Sequence, residues 1–181
     1  MSTDRQTEFI DLILEENKKN NLTKFRTAKE LYIHGARLMM RYYAVYGKEL
    51  LGKSIADIGA GSGITGINLA IVNPLLSITL IESNARKAVF LEYACKKLNL
   101  PNVRIVGTDA RLVEEKFDII ILRAFSKKNK VIKSVIKKLS APATTVYSIK
   151  TNASKSEESS DIQKLTDIYY VEKFHVEQSI K

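Results

Sequence analysis

Between residues 54 and 149, short runs rich in isoleucine and valine alternate with stretches of helical periodicity, and this limits the chain to few architectures. Strands separated by helices are joined by crossovers, which demand a parallel sheet covered on both faces. Residues 54–57, 77–81, 103–106, 117–122 and 144–149 read as strands, and 64–72, 85–98 and 131–139 as helices, with Pro74 and Pro101 marking returns to strand. The run Ile119-Ile120-Ile121-Leu122 has no polar alternation and belongs at the centre of the sheet. A length of 181 residues suits one such domain with a modest extension.

Residues 1–50 read as that extension, which is helical. Phe9, Ile10, Leu12, Ile13 and Leu14 give a first helix, from Asp4 to about Asn17, an apolar face. Thr27 with Glu30 is a capping-box pattern, and Leu31, Leu38, Tyr42 and Val45 continue at helical spacing to about Tyr46. Residues 51–181 are expected to form the sheet-bearing domain as one structural unit. Within it 151–160 is too polar for core, and Ile168-Tyr169-Tyr170-Val171 followed by 174–180 suits one or two closing antiparallel strands.

The turn between the first strand and first helix reads Asp57-Ile58-Gly59-Ala60-Gly61-Ser62-Gly63-Ile64-Thr65-Gly66. Glycines there allow a sharp turn and close backbone approach to a ligand at a helix start. Read as GxGxxG, with Glu82 ending the next strand, the pattern fits a dinucleotide. The acid just before the glycines argues otherwise: Asp57 would repel a pyrophosphate but can orient an ammonium group. Asp57-x-Gly59-x-Gly61-x-Gly63 resembles motif I of class I S-adenosylmethionine (AdoMet) methyltransferases. Glu82 would then hold the ribose hydroxyls, and Asp109, ending the third strand, is placed to accept from the adenine amino group.

After the fourth strand comes Leu122-Arg123-Ala124-Phe125. The Asn/Asp-Pro-Pro-aromatic pattern of amino-methylating enzymes is missing there. The only cysteine, Cys95, falls on the apolar stripe of a helix with Ala88, Leu91 and Leu98, where it reads as an inert buried thiol. The planar fork of Arg123 suits guanine O6 and N7 or a phosphate. Guanine N7 has an available lone pair, so attack on a sulfonium methyl needs no general base.

Taken together, these residues resemble the glucose-inhibited division protein B family, guanine-N7 methyltransferases of bacterial small-subunit (16S) ribosomal RNA. The likeness runs from about Asn21 to Lys150. It includes Asn21-Leu22-Thr23, His34, the glycine loop through Ile67, Glu82-Ser83 with Arg86-Lys87 and Phe90-Leu91, Arg123-Ala124-Phe125 and Tyr147-Ser148-Ile149-Lys150. Where the family has Arg-Ala-Glu after its third strand, this chain has Asp109-Ala110-Arg111. The resemblance implies a Rossmann-like, doubly wound sheet of seven strands. It also implies AdoMet as cofactor, held by Asp57, Gly59, Ala60, Gly61, Gly63, Glu82, Ser83, Asp109, Ala110 and Arg111. Arg123 would be the catalytic residue beside the donor, and Lys150, Arg86, Lys87, Lys127 and Lys128 would face the RNA.

Lys and Arg number 29 against 20 Asp and Glu, a formal net charge of +9 that favours a polyanionic partner such as ribosomal RNA or its ribonucleoprotein particle. Lys127, Lys128, Lys130, Lys133, Lys137 and Lys138 concentrate that charge just after Arg123. No metal site is expected, no apolar run approaches the ~18 residues of a membrane span, and a cytoplasmic monomer is the simplest expectation. Two rivals fit parts of the pattern: an NAD-dependent oxidoreductase, and a basic RNA-binding protein that keeps the fold without catalysis.

Overall fold

The computed structural model describes residues 2–123, 129–151, 162–165 and 169–176, and in them strand and helix close into one mixed sheet. Its strands are β1 (Ser54–Ile58), β2 (Ser77–Ile81), β3 (Val103–Val106), β4 (Phe117–Arg123), β5 (Ser140–Thr151), β6 (Ile162–Lys164) and β7 (Tyr169–His175), in the order β3-β2-β1-β4-β5-β7-β6. The first five are mutually parallel, and β7 runs antiparallel to β5 and β6. Six strands have four residues or more, and the outer place of the expected seven is filled only by the three-residue β6. The expected second closing strand over 174–180 is not separate, because Phe174 and His175 finish β7. Lys127, Lys128, most of the loop expected over 151–160, and 177–180 lie outside the described residues.

Side-chain alternation along the central strands sorts the core in two. Ile55, Ile119 and Ile121 face a large cluster, and Ala56, Ile120 and Leu122 face a smaller one with Val135, Ile136 and Leu139. The smaller cluster is covered by helix α6 (Asn129–Leu139), while α4 (Gly66–Val72) and α5 (Ala85–Lys97) lie over the larger. Helices α1 (Ser2–Asn17), α2 (Ala28–Leu31) and α3 (Arg37–Leu50) join the larger cluster through Phe9, Ile13, Leu31, Leu38, Met39 and Leu50. The extension therefore shares the sheet's own core. Tyr42 and Tyr46 pack with Tyr147 of β5, so they are junction residues, as their helical spacing suggests. Cys95 is buried, which pushes its thiol up to about 12 and leaves it inert.

The capping box at Thr27 and Glu30 is present, and the helix it starts runs past the expected Tyr46 to Leu50, though not as α-helix throughout. Tyr32–Ala36 forms a π-helical turn between α2 and α3. The turn seats Gly35 where a Cβ would stand 3.1 Å from both Asn68 Nδ2 and Ile64 Cγ1, so the backbone lies close against the start of α4. Widened turns of this kind recur beside functional sites, and this one carries His34.

Candidate active site

Strand order reverses between β1 and β4, with β2 and β3 on one side and β5 on the other. Open α/β sheets bind ligands at the carboxyl ends of strands at such a switch. A cleft of about 450 Å³ lies there, lined by the glycine loop from Gly59 to Thr65 except Gly63, and by Asp57, Lys87, Arg123, Lys150 and the segment Leu22-Thr23-Lys24-Phe25. A second hollow of about 210 Å³ also touches Gly59 and is lined by Ser83, Asp109, Ala110 and Arg111. Of the expected donor residues, all but Gly63 and Glu82 line one of these two hollows, which meet at Gly59.

The loop's geometry explains its glycines. Gly59, Gly61 and Gly63 all have φ between 60° and 75°, where a side chain is strained. A Cβ on Gly61 would meet nothing nearer than Gly59 O at 3.8 Å, so this part of the loop leaves room for a ligand. On Gly63 it would stand 2.7 Å from Ile67 and Leu91, so that glycine serves helix packing.

Both acids are buried and hydrogen-bonded to backbone. Glu82 accepts from Gly61 N–H at 2.7 Å and, on its other oxygen, from Asn84 N–H at 2.8 Å. Asp57 Oδ2 accepts from Gly66 N–H at 2.9 Å, at the very start of α4. A carboxylate already occupies the helix end on which a pyrophosphate would rest, which disfavours a dinucleotide. AdoMet carries no phosphate and meets no such conflict.

Burial raises the Asp57 carboxyl to about 7; the Gly66 N–H and the Arg123 charge pull it down, and Glu82 adds to the rise. The folded protein therefore keeps a proton that the unfolded chain releases near 3.8. Asp57 contributes stability that is complete below that value and lost as pH rises to about 7. In urea titrations the unfolding free energy of the wild type relative to Asp57→Asn should fall across that window. A difference independent of pH there would contradict this account.

Other expected site residues are placed less simply. Asp109 lines the second hollow with its carboxylate already engaged: it receives Arg111 N–H at 2.9 Å and the Arg111 guanidinium at 2.6–3.1 Å. Those bonds hold its carboxyl down to about 2. The exchanged charges at 109 and 111 thus form an ion pair across one 3-10 turn, and Ala110 between them is buried. Lys150 is at the cleft but paired with Glu172. Lys87 lines the cleft, whereas its neighbour Arg86 is exposed and lines neither hollow. Among the α6 lysines, Lys130, Lys133 and Lys137 are exposed, and Lys138 is turned to Glu114 and the Arg111 carbonyl.

The family model of GidB, rRNA small subunit methyltransferase G, matches residues 3–180. The chain belongs to the GidB family. Ribosomal RNA small subunit methyltransferase G of Aquifex aeolicus is 36% identical over 142 residues, covering 77% of this chain and 71% of that protein. The Mycoplasma capricolum protein of the same name is 36% identical over 127 residues, covering 68% of this chain and 54% of its own length. Among solved structures, a SAM-dependent methyltransferase from Aquifex aeolicus superposes with a TM-score of 0.62 at 14% identity, covering 83% of this chain and 98% of that one. An MtNAS mutant solved with S-adenosylmethionine gives 0.63 at 15% identity, covering 93% and 72%. At such identities these two share the fold, the Rossmann-like α/β sheet of AdoMet-dependent enzymes.

In this GidB-family chain the sequence reading gives no site role to Phe25 and Tyr169, which line the cleft, or to His34, which touches both. Asn17 sets the first, its side-chain oxygen taking the N–H groups of Leu22 and Thr23 and its amide donating to Phe25 O at 2.8 Å. Phe25 then stacks on His34, centroids 4.5 Å apart. Tyr169 OH stands 2.9 Å from His34 Nδ1 and 3.0 Å from Arg123 Nη2. The only sequence signal for them is the Asn21-Leu22-Thr23 and His34 likeness; Tyr169 reads simply as part of an apolar run.

Proposed function

We propose that this chain performs the reaction of its family, methyl transfer from AdoMet to guanine N7 of small-subunit ribosomal RNA, as a cytoplasmic monomer acting on the RNA or its particle. The observation that carries this reading is the cleft, which brings the acid-flanked glycine loop together with the basic residues Arg123, Lys87, Lys24 and Lys150. The loop suits a cationic amino-acid donor and the basic residues a polyanionic acceptor.

Glu82 keeps lone pairs on both oxygens for the ribose hydroxyls, beside its bonds to Gly61 and Asn84. Gly59 and Gly61 let the methionine part approach the backbone, and the buried Asp57 lies beside them to orient its ammonium group. The hollow at Ala110 takes the adenine, with backbone in place of the Asp109 carboxylate. When bound, AdoMet supplies a methyl group made electrophilic by its sulfonium. Arg123 holds the acceptor base so that N7 faces that methyl in line, and positioning with electrostatics carries the rate without a general base.

The test combines calorimetry with AdoMet and with NAD and a transfer assay using labelled donor and undermethylated small-subunit particles. AdoMet binding, no NAD binding, and label recovered as 7-methylguanosine are expected. NAD binding, or label on another base atom, would replace this reading with a rival.

A further inference from the structure

A guanidinium only donates hydrogen bonds, so the oxygen of Tyr169 accepts from Arg123 Nη2, and the same hydroxyl shares a second hydrogen bond with His34 Nδ1. With the ring neutral and protonated on Nε2, Nδ1 holds the lone pair that takes the Tyr169 proton. The stack of Phe25 on one face of His34 and the edge contact of His34 with Tyr169, centroids 5.7 Å apart, fix the ring in place. Arg123 also lies over the Tyr169 ring, its Cζ 5.2 Å from the centroid. Its other terminal nitrogen, Nη1, is buried with no hydrogen-bond partner among the described residues.

We propose that Tyr169 is a positioning residue for methyl transfer, which, held by His34, fixes the Arg123 fork so that one of its terminal nitrogens is spent on Tyr169 and the acceptor is met by a single donor. The chemistry explains why one donor is better than two. A fork reaching guanine O6 and N7 together would bind the N7 lone pair, the electron pair that must attack the methyl group. With Nη2 engaged by Tyr169, Arg123 holds the base through O6 and leaves N7 free. This rests on guanine N7 being the acceptor.

The relay also senses protonation. Arg123 from β4, Tyr169 from β7, Glu30 from the same helical segment and Lys24 from the preceding loop surround His34. Burial, Arg123 and Lys24 favour the neutral ring, and only Glu30 opposes them. On acidification Nδ1 becomes a donor, the Tyr169 proton loses its acceptor, and two cations face one hydroxyl.

The experiment uses the full chain, wild type against Tyr169→Phe and His34→Asn. The chain has two histidines, so NMR resolves the His34 titration without any activity assay. Tyr169→Phe should raise the His34 pKa, since the bond favouring the neutral ring is gone. It should lower kcat about tenfold or more while leaving KM for the RNA no higher and AdoMet affinity within about twofold. His34→Asn, which offers an acceptor oxygen that does not titrate, should keep most of the rate at pH 8 and lose the acid limb. A Tyr169→Phe enzyme with wild-type kcat, an unmoved His34 titration, or equal losses of rate and AdoMet affinity would overturn the proposal. A wild type that transfers no methyl group would instead overturn the acceptor reading, while the NMR arm still decides whether the relay exists.

Discussion

Replacing Glu82 by alanine should lower AdoMet affinity about 100-fold or more. Two hydrogen bonds from ribose hydroxyls to a buried carboxylate are worth roughly 1.5–3 kcal/mol each, and about 2.7 kcal/mol is already a factor of 100. The loop suffers too, because Gly61 N–H and Asn84 N–H both lose their acceptor. Glu82→Gln should fall between: it keeps one oxygen but turns an NH2 toward one of those backbone donors. Calorimetry on the three proteins checks this, and an alanine variant within about threefold of wild type would remove Glu82 from the donor site.

Arg123→Lys should leave AdoMet affinity nearly unchanged and reduce methyl transfer about 100-fold, the scale of losing one preorganised donor at a reacting centre. Lysine keeps the positive charge beside Asp57, so the electrostatic setting of the donor pocket survives. What it lacks is the planar fork that donates to Tyr169 while offering a second nitrogen to the base. Single-turnover transfer at saturating donor separates the two effects. A parallel loss of donor affinity would assign Arg123 to cofactor binding instead.

The parts of this molecule that are readable in its sequence are those with local causes. Strands 77–81 and 103–106 fall where expected because β-branched runs bounded by turn residues carry their own signal. Asp57, the glycines and Glu82 are readable as a site because strand ends fix them, whatever the distant packing does. The π turn is not, since Tyr32-Ile33-His34-Gly35-Ala36 is ordinary helix composition and its extra residue is set by contact with Ile64 and Asn68. Three-residue β6 carries no period to detect. The pairing of Asp109 with Arg111 is a choice among partners for one carboxylate, which spacing cannot decide. Tyr169 meets Arg123 only because β7 pairs beside β5, a tertiary fact.

His34 and Tyr169 are separated by 135 positions along the chain, yet they share one hydrogen bond beside Arg123. The expected donor residues from Asp57 to Arg111 come from the β1–β3 part of the chain, whose contacts are closer in sequence. Contacts this distant form late, because the intervening loop must be closed before they are rewarded. The contacts that hold Arg123 are therefore complete only with β7 in place, whereas the glycine loop is held by its neighbours on β1 and β2.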